Sequence, residues 1–468
     1  MTPNVLVLVF DTTRSDALEP YGAPAGSSPT VAQMASSGVA AEDVFATACW
    51  TLPSHASMFT GMLPRALGLL QAPGGSPHGA RPVLEARQEQ LLPEVLRRAG
   101  YETRGASANL WVSPYAGFSA GFDSFELVGG DSRVERVERN DLRGRVTWAL
   151  EGLRAREDDG AAAVEALLRN WIAETPKKPF FWFVNLVEAH SPYLPPRPYN
   201  DLGPVDRIRA ADDARRHLSL SAIWKTCLKD FDVPDGALER MRHLYARSVR
   251  LLDDWLARVL EALDDRGLLQ DTLVVVTSDH GENFGEGGLL AHAFSLDDRL
   301  IRVPFVANRT DFWPADGATS LADLPRMLAR YLDLAEHPWD RQALPEGCAT
   351  AQFGFIEEDD PRVEVGVEAW DLDHQARERM ITPLTCVTDG RLKLMARGDA
   401  HELYDLAADP LEERPLEPSA HAESERVSAL RAALEHPAVS ELGQAAPAPE
   451  RTEDLEEIEN RMKLLGYL

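Results

Sequence analysis

Positive charge is scarce in this chain: 48 Lys and Arg stand against 75 Asp and Glu, a net charge of −27. A deficit of that size argues against a nucleic-acid backbone or an anionic membrane as the main partner, because either would be repelled. An anionic substrate then needs a locally positive pocket, and a bound metal ion is the simplest source of one. Cysteine is scarce as well. The four present, Cys49, Cys227, Cys348 and Cys386, are scattered and form no Cys-x-x-Cys pair, so reduced thiols fit better than a disulfide framework. No apolar run approaches the ~18 residues of a membrane span. The opening Met-Thr-Pro-Asn-Val-Leu-Val-Leu-Val-Phe lacks the basic stretch and small-residue cleavage site of a signal peptide. A cytosolic protein is expected, and no internal repeat is visible.

The 468 residues, 44% of them apolar, suit one large α/β domain with an appendage. Continuous β-branched and aliphatic runs predict buried strands at Val5–Phe10, Phe180–Val187 and Thr272–Thr277, with a shorter one at Val303–Val306. Helical periodicity marks Thr30–Ser37, Gln90–Arg98, Ala161–Ala173, Ala237–Arg266 and Leu321–Leu334. Alternation of the two predicts a mostly parallel sheet with helices on both faces. The charged segments Asp131–Asp159 and Asp201–Arg216 read as surface insertions. Past residue 350 the texture changes: Val363–Ala369, Leu384–Asp389 and Arg391–Ala396 read as short strands, with Asp-Gly at a hairpin turn. The expected division is a catalytic α/β domain over 1–349, a small antiparallel subdomain over 350–443, and a linker with a terminal helix over 444–468. Gln444–Pro449 is the linker and Thr452–Leu465 the amphipathic helix, with acids in its first turns.

Three of the buried runs end on metal-binding or acid/base residue types: Asp11 after the first, Glu188 and His190 after the second, Asp279-His280 after the third. In open α/β sheets, ligand sites lie at the carboxyl ends of the strands. For Asp279-His280 to face one cation the backbone must bend, and Gly281 is the residue expected to allow it. Asp11 taken alone is equally a helix N-cap. Thr51-Leu-Pro-Ser reads as a helix start, where positive potential favours an oxyanion; it is equally an ordinary cap. His190 and His292 flank the same strand ends, and imidazole suits protonation of a leaving oxygen near neutral pH.

Together these segments resemble a sulfatase-type member of the alkaline phosphatase superfamily. The resemblance rests on "PNVLVLVFDTTRSDALEPYG", "CWTLPSHASMFTG", "EAHSPYLPP", "TSDHGENFGE", "RLIRVPFV" and "HELYDLAADPLEE". It implies the α/β sheet sandwich with a small C-terminal sheet, and one divalent metal (calcium, magnesium or manganese) on Asp11, Asp279, His280 and Thr51. It implies Thr51 as nucleophile, His190 and His292 at the transferred group or leaving oxygen, and His55, Asn109 and Arg14 as substrate contacts. A second ion, zinc or manganese, on Glu188, His190 and His292 is a further expectation. The implied partner is a small anionic ester.

The chain also departs from the family pattern. Sulfatases carry Cys-x-Pro-x-Arg, whose cysteine becomes formylglycine; here Thr51 and His55 take the place of the cysteine and the arginine. Thr12 replaces the second aspartate of an Asp-Asp pair, and Asn109 lies where many relatives have Gly-Lys-Trp-His. A sulfated threonine lacks the second hydroxyl through which formylglycine expels sulfate, whereas a phosphorylated threonine can be resolved by water. The expected activity is therefore hydrolysis or transfer of phosphate mono- or diesters or phosphonate esters. Sulfuric ester hydrolysis without formylglycine, and a catalytically silent binding protein, stay open. Cys49 lacks proline two residues on, so peptide mass spectrometry should find an unmodified thiol there. An aldehyde at Cys49 would restore formylglycine chemistry.

Overall fold

The structure, a computed structural model, describes residues 2–71, 76–128, 142–174, 176, 178–313, 317–342, 345–354, 361–417 and 424–443. The predicted linker and terminal helix lie outside the described residues. Seven strands form the main sheet: β1 (Asn4–Phe10), β2 (Val39–Ala41), β3 (Glu102–Ser107), β4 (Ser124–Leu127), β5 (Phe180–Leu186), β6 (Thr272–Thr277) and β7 (Phe305–Ala307). Their order is β2-β7-β6-β1-β5-β3-β4. β1 sits at the centre, parallel to β5 with Val5 opposite Phe181, and parallel to β6 with Val5 opposite Leu273. Only β7 runs antiparallel, to both β6 and β2.

Successive side chains of a strand point to opposite faces, and β1 is apolar on both. Leu6, Leu8 and Phe10 join one core with the helices Ala161–Ala173 and Asp235–Asp265. Val5, Val7 and Val9 join the other with the helices Thr51–Thr60, Leu92–Arg98 and Leu324–Tyr331. Burial on both faces is why β1, β5 and β6 read as unbroken apolar runs. β3 did not read as a strand: "ETRGAS" holds few apolar side chains, and its pairing with β5 places it. Val303 was expected inside a strand, but Pro304 follows it and pairing starts at Phe305. Among the described residues no helix is long and apolar enough to cross a membrane.

The C-terminal sheet has four antiparallel strands: β8 (Ala349–Phe353), β9 (Leu384–Thr388), β10 (Leu392–Arg397) and β11 (Ala400–Asp405). Asp389-Gly390 turns between β9 and β10, and Gly390 adopts φ 88°. One expectation fails here. Val363–Ala369 is not a strand but part of the helix Pro361–Trp370. Its Val-x-Val-x-Val alternation mimics a strand, yet Val363, Val367 and Trp370 follow the helical repeat and pack inward, while Val365 is left 66% exposed. Ala349, Ala351, Phe353, Leu384 and Cys386 share the core of the main sheet, so the two sheets pack as one body.

Phe183 on β5 is buried, with its ring centroid 4.8 Å from that of Phe59 on the helix carrying Thr51. Phe183→Ala should lower unfolding free energy by about 3–5 kcal/mol in urea titrations. A loss below about 1 kcal/mol would mean that helix is not seated on this core.

Candidate active site

The site forms where β1 and β6 end side by side. Asp11 stays in the sheet through its N–H to the Leu186 carbonyl (2.9 Å). The next residue, Thr12, breaks away with φ 59°, a left-handed conformation that a β-branched residue rarely adopts. Three bonds hold it there: its N–H donates to Asp279 Oδ1 (3.2 Å), its hydroxyl to the Asp11 carbonyl (2.6 Å), and Tyr245 donates to its carbonyl (2.9 Å). Thr12 thus braces the turn. Gly281 is required by close approach: a Cβ there would lie 1.9 Å from the Arg299 carbonyl oxygen.

Asp11, Asp279 and His280 are fully buried, and one ligand-type atom from each lies within 4.8 Å of the others. His280 Nε2 is 3.4 Å from Asp279 Oδ2 and 3.9 Å from Asp11 Oδ1. Such spacings suit atoms that each sit ~2.0–2.5 Å from one ion. Asp11 Oδ1 and Asp279 Oδ2 have no protein donor. His280 Nδ1 lies 2.9 Å from the Gly281 carbonyl, which fixes the proton on Nδ1 and turns the Nε2 lone pair toward the carboxylates. Burial first, and then Asp11, push the Asp279 carboxyl well above the usual carboxylate range. Burial first, and then His292, push His280 well below the usual imidazole value. Two adjacent buried carboxyls and a neutral imidazole fit a divalent cation.

Thr51 is the first residue of the helix Thr51–Thr60, and no side chain caps that helix. Ser54 donates to the Asp279 carbonyl (2.7 Å) and ties the helix to the turn that carries Asp279 and His280. Thr51 Oγ1 lies 3.3 Å from His280 Nε2. Asn109 Nδ2 donates to Asp11 Oδ2 at 2.8 Å and lies 3.5 Å from Thr51 Oγ1. His55 is fully buried beneath them, donating from Nδ1 to the Thr51 carbonyl (2.9 Å) and lying 3.5 Å from Asp279 Oδ2. Burial holds it at about 4, hence neutral. Its contacts are to the helix Thr51–Thr60 and a cluster carboxylate.

The mouth of the site is a row of imidazoles. The His292 ring lies 4.5 Å from that of His280 and 5.0 Å from that of His190. His190 Nδ1 lies 2.9 Å from the Ser191 carbonyl, and His292 Nδ1 lies 3.0 Å from Glu282 Oε1. Glu282, also bound by the Tyr193 hydroxyl (2.7 Å), is fully buried. Burial works against a charged His292, but Glu282 outweighs it and raises the His292 pKa. Sequence reasoning missed Glu282, Tyr193 and Asn185, whose amide lies 3.4 Å from Asp11 Oδ2; only the place of Glu282 two residues after His280 signalled it.

Two expectations are revised. Glu188 does not join His190 and His292 as a metal ligand. Its oxygens accept backbone N–H bonds from Asp159 (3.1 and 3.0 Å) and Ala161 (2.7 Å), at the start of the helix Ala161–Ala173. Burial, then Asp159, push its carboxyl up to about 8. Among the described residues, Asp11, Asp279 and His280 are the one metal-compatible group. Arg14 is also committed elsewhere: its guanidinium bonds Asp16 (2.8 and 2.6 Å), Glu286 (2.9 Å) and the Glu282 carbonyl (3.1 Å).

Asp279→Asn and His280→Ala should each abolish bound divalent metal by elemental analysis while far-UV circular dichroism is unchanged. Full occupancy in both variants would place the metal elsewhere. Because the Asp279 carboxyl holds its proton above the usual range, metal binding must displace that proton. Affinity should therefore fall as pH is lowered, and calorimetry in buffers of different ionisation enthalpy should show proton release.

Comparison with known proteins agrees with this geometry. The Sulfatase family model matches residues 3–334. Iduronate 2-sulfatase of Mus musculus is 27% identical over 350 residues, 67% of this chain and 61% of that protein. The human enzyme is 26% identical over 358 residues, 70% of this chain and 63% of its own length. The match thus spans less than two thirds of these relatives. The crystal structure of the phosphonate monoester hydrolase of Agrobacterium radiobacter superposes with TM-score 0.64 at 20% identity, covering 96% of this chain and 100% of that one. The enzyme from Silicibacter pomeroyi gives 0.61 at 17%, covering 93% and 95%. These structural likenesses speak for the fold. With the family match over 3–334 and the buried Asp11, Asp279 and His280 beside Thr51, the chain belongs to the sulfatase family of the alkaline phosphatase superfamily.

Proposed function

We propose that this protein is a metal-dependent hydrolase, or a transferase to an alcohol, of phosphate mono- and diesters or phosphonate esters, with Thr51 as nucleophile. The observation that carries the reading is the Thr51 hydroxyl beside the unpartnered carboxylate oxygens, 3.3 Å from His280 Nε2, at the helix start. A divalent cation (calcium, magnesium or manganese) held by Asp11, Asp279 and His280 would supply the charge that acidifies the hydroxyl and neutralises the ester.

The chain's own groups have separable tasks. Thr51 Oγ1 gives up its proton to water and forms the bond to phosphorus as the bond to the alcohol oxygen breaks. The His292 Nδ1 proton is held by Glu282, which leaves Nε2 to give a proton to the departing oxygen. His190 stands beside it, with its own Nδ1 on a carbonyl. Asn109 reaches both Asp11 and the hydroxyl and so fixes where Thr51 points. Water, or an acceptor alcohol, then displaces Thr51.

Sulfuric ester hydrolysis is the second reading, favoured by the family match and by the iduronate 2-sulfatase relatives. A silent protein would have little use for a retained buried cluster together with His190 and His292. A panel of aryl sulfate, phosphate, phosphodiester and phosphonate substrates with several divalent metals separates the three.

Thr51→Ala should reduce turnover of the best phosphoester or phosphonate by at least about a thousandfold, while Thr51→Ser keeps a measurable fraction. Near-wild-type turnover by Thr51→Ala would remove the nucleophile assignment. Sulfate esters turned over faster than every phosphorus substrate would favour the second reading.

A further inference from the structure

Outside the catalytic cluster, Lys393 on β10, in the C-terminal sheet, is a fully buried charge. Its ammonium, fully shielded from solvent, lies 2.7 Å from Asp298 Oδ1 and donates to Glu412 Oε2 (2.8 Å) and to the Leu296 carbonyl (2.9 Å). Glu412 Oε1 accepts the Asp298 N–H (2.6 Å), and Asp298 Oδ2 accepts from Arg302 Nε (2.8 Å). Among the described residues, four of the C-terminal part thus reach the segment 296–302: Lys393, Glu412, Leu411, whose carbonyl takes Arg299 Nη1 (3.2 Å), and Gly390, whose carbonyl takes Arg302 Nη2 (2.9 Å).

That segment begins four residues after His292 and contains the short helix Asp298–Ile301. Its far end supports both halves of the site. The Leu300 carbonyl accepts the Gly281 N–H (2.7 Å), next to His280, and the Ile301 carbonyl accepts the Ala46 N–H (2.7 Å), on the approach to Thr51. Arg299 Nε donates to Asn283 Oδ1 (3.3 Å), one residue past Glu282.

A buried ion pair is a weak source of stability, because desolvation offsets most of the attraction. The two sheets already share an apolar core, so docking alone does not call for Lys393. An apolar contact tolerates sliding. Any sliding here would strand Lys393, Asp298 or Glu412 in a dry environment without its partner, so the cluster fixes position.

We propose that Lys393, with Asp298 and Glu412, is a positioning device of the active site. The C-terminal sheet clamps residues 296–301 and so sets the place of His292. On this view the C-terminal subdomain belongs to the catalytic machinery. The kinetic part of the test rests on His292 acting at the leaving oxygen; the structural part does not.

The test compares full-length wild type, Lys393→Met and Glu412→Gln, the last keeping an acceptor for the Asp298 N–H should Lys393→Met fail to fold. Hydrogen–deuterium exchange should quicken across 289–301 in a folded variant, with β1, β5 and β6 protected as in wild type. For an alkyl phosphodiester, kcat should fall at least about tenfold with KM within about threefold, while an aryl ester with a good leaving group, which needs no protonation, loses much less. Wild-type protection of 289–301 in the folded variants overturns the proposal, as does an equal loss on both esters, which marks a merely structural lysine. If wild type turns over no ester, the functional reading fails, and the exchange data alone decide for or against the clamp.

Discussion

Two aspartates buried next to each other with unpartnered oxygens form the constraint on which the rest of the site depends. Asp11 and Asp279 are fully buried, and Asp11 Oδ1 and Asp279 Oδ2 have no donor. Holding both ionised would cost several kcal/mol for desolvation and more for mutual repulsion. A cation removes both penalties at once. The features around the pair make sense as its support: the left-handed Thr12, the glycine pressed against Arg299, the Ser54 bond to the Asp279 carbonyl, and the His280 tautomer set by Gly281.

The same electrostatics assign distinct states to chemically similar groups. His280 and His55 are buried and held neutral, one as a ligand type and the other on the helix Thr51–Thr60. His292, partly exposed at the mouth, is raised by Glu282. A histidine of raised pKa thus stands beside the Asp11, Asp279 and His280 cluster, as the proposed leaving-group acid requires. On the proposed function, a chain of net charge −27 would receive an anion through local positive charge, supplied by the cation and by His292.

Much of this was legible in the sequence because buried parallel strands announce where they end. The apolar runs over β1 and β6 stop at Asp11 and Asp279, so hydropathy marked the strand ends, and the family resemblance joined them into one cluster. Thr51 needed the family resemblance, since its four-residue context looks like any helix start. Tertiary contacts settled what local pattern could not. Glu188 sits at a strand end like the others, but the N-terminus of the helix Ala161–Ala173 claims its oxygens. Arg14 follows Asp11 closely, yet Asp16 and Glu286 draw its guanidinium away. Val363–Ala369 alternates like a strand and folds as a helix. Glu282 and Tyr193 matter only because the chain returns His292 to them from ten or more residues away.

The central claim is that one cation links the carboxylate pair to the Thr51 hydroxyl. Anomalous diffraction from crystals grown with manganese tests it most directly. The result expected is a single strong peak within ligand distance of Asp11, Asp279 and His280, with Thr51 Oγ1 on its open side. A peak elsewhere, or one at the cluster with Thr51 turned out of reach, would contradict it.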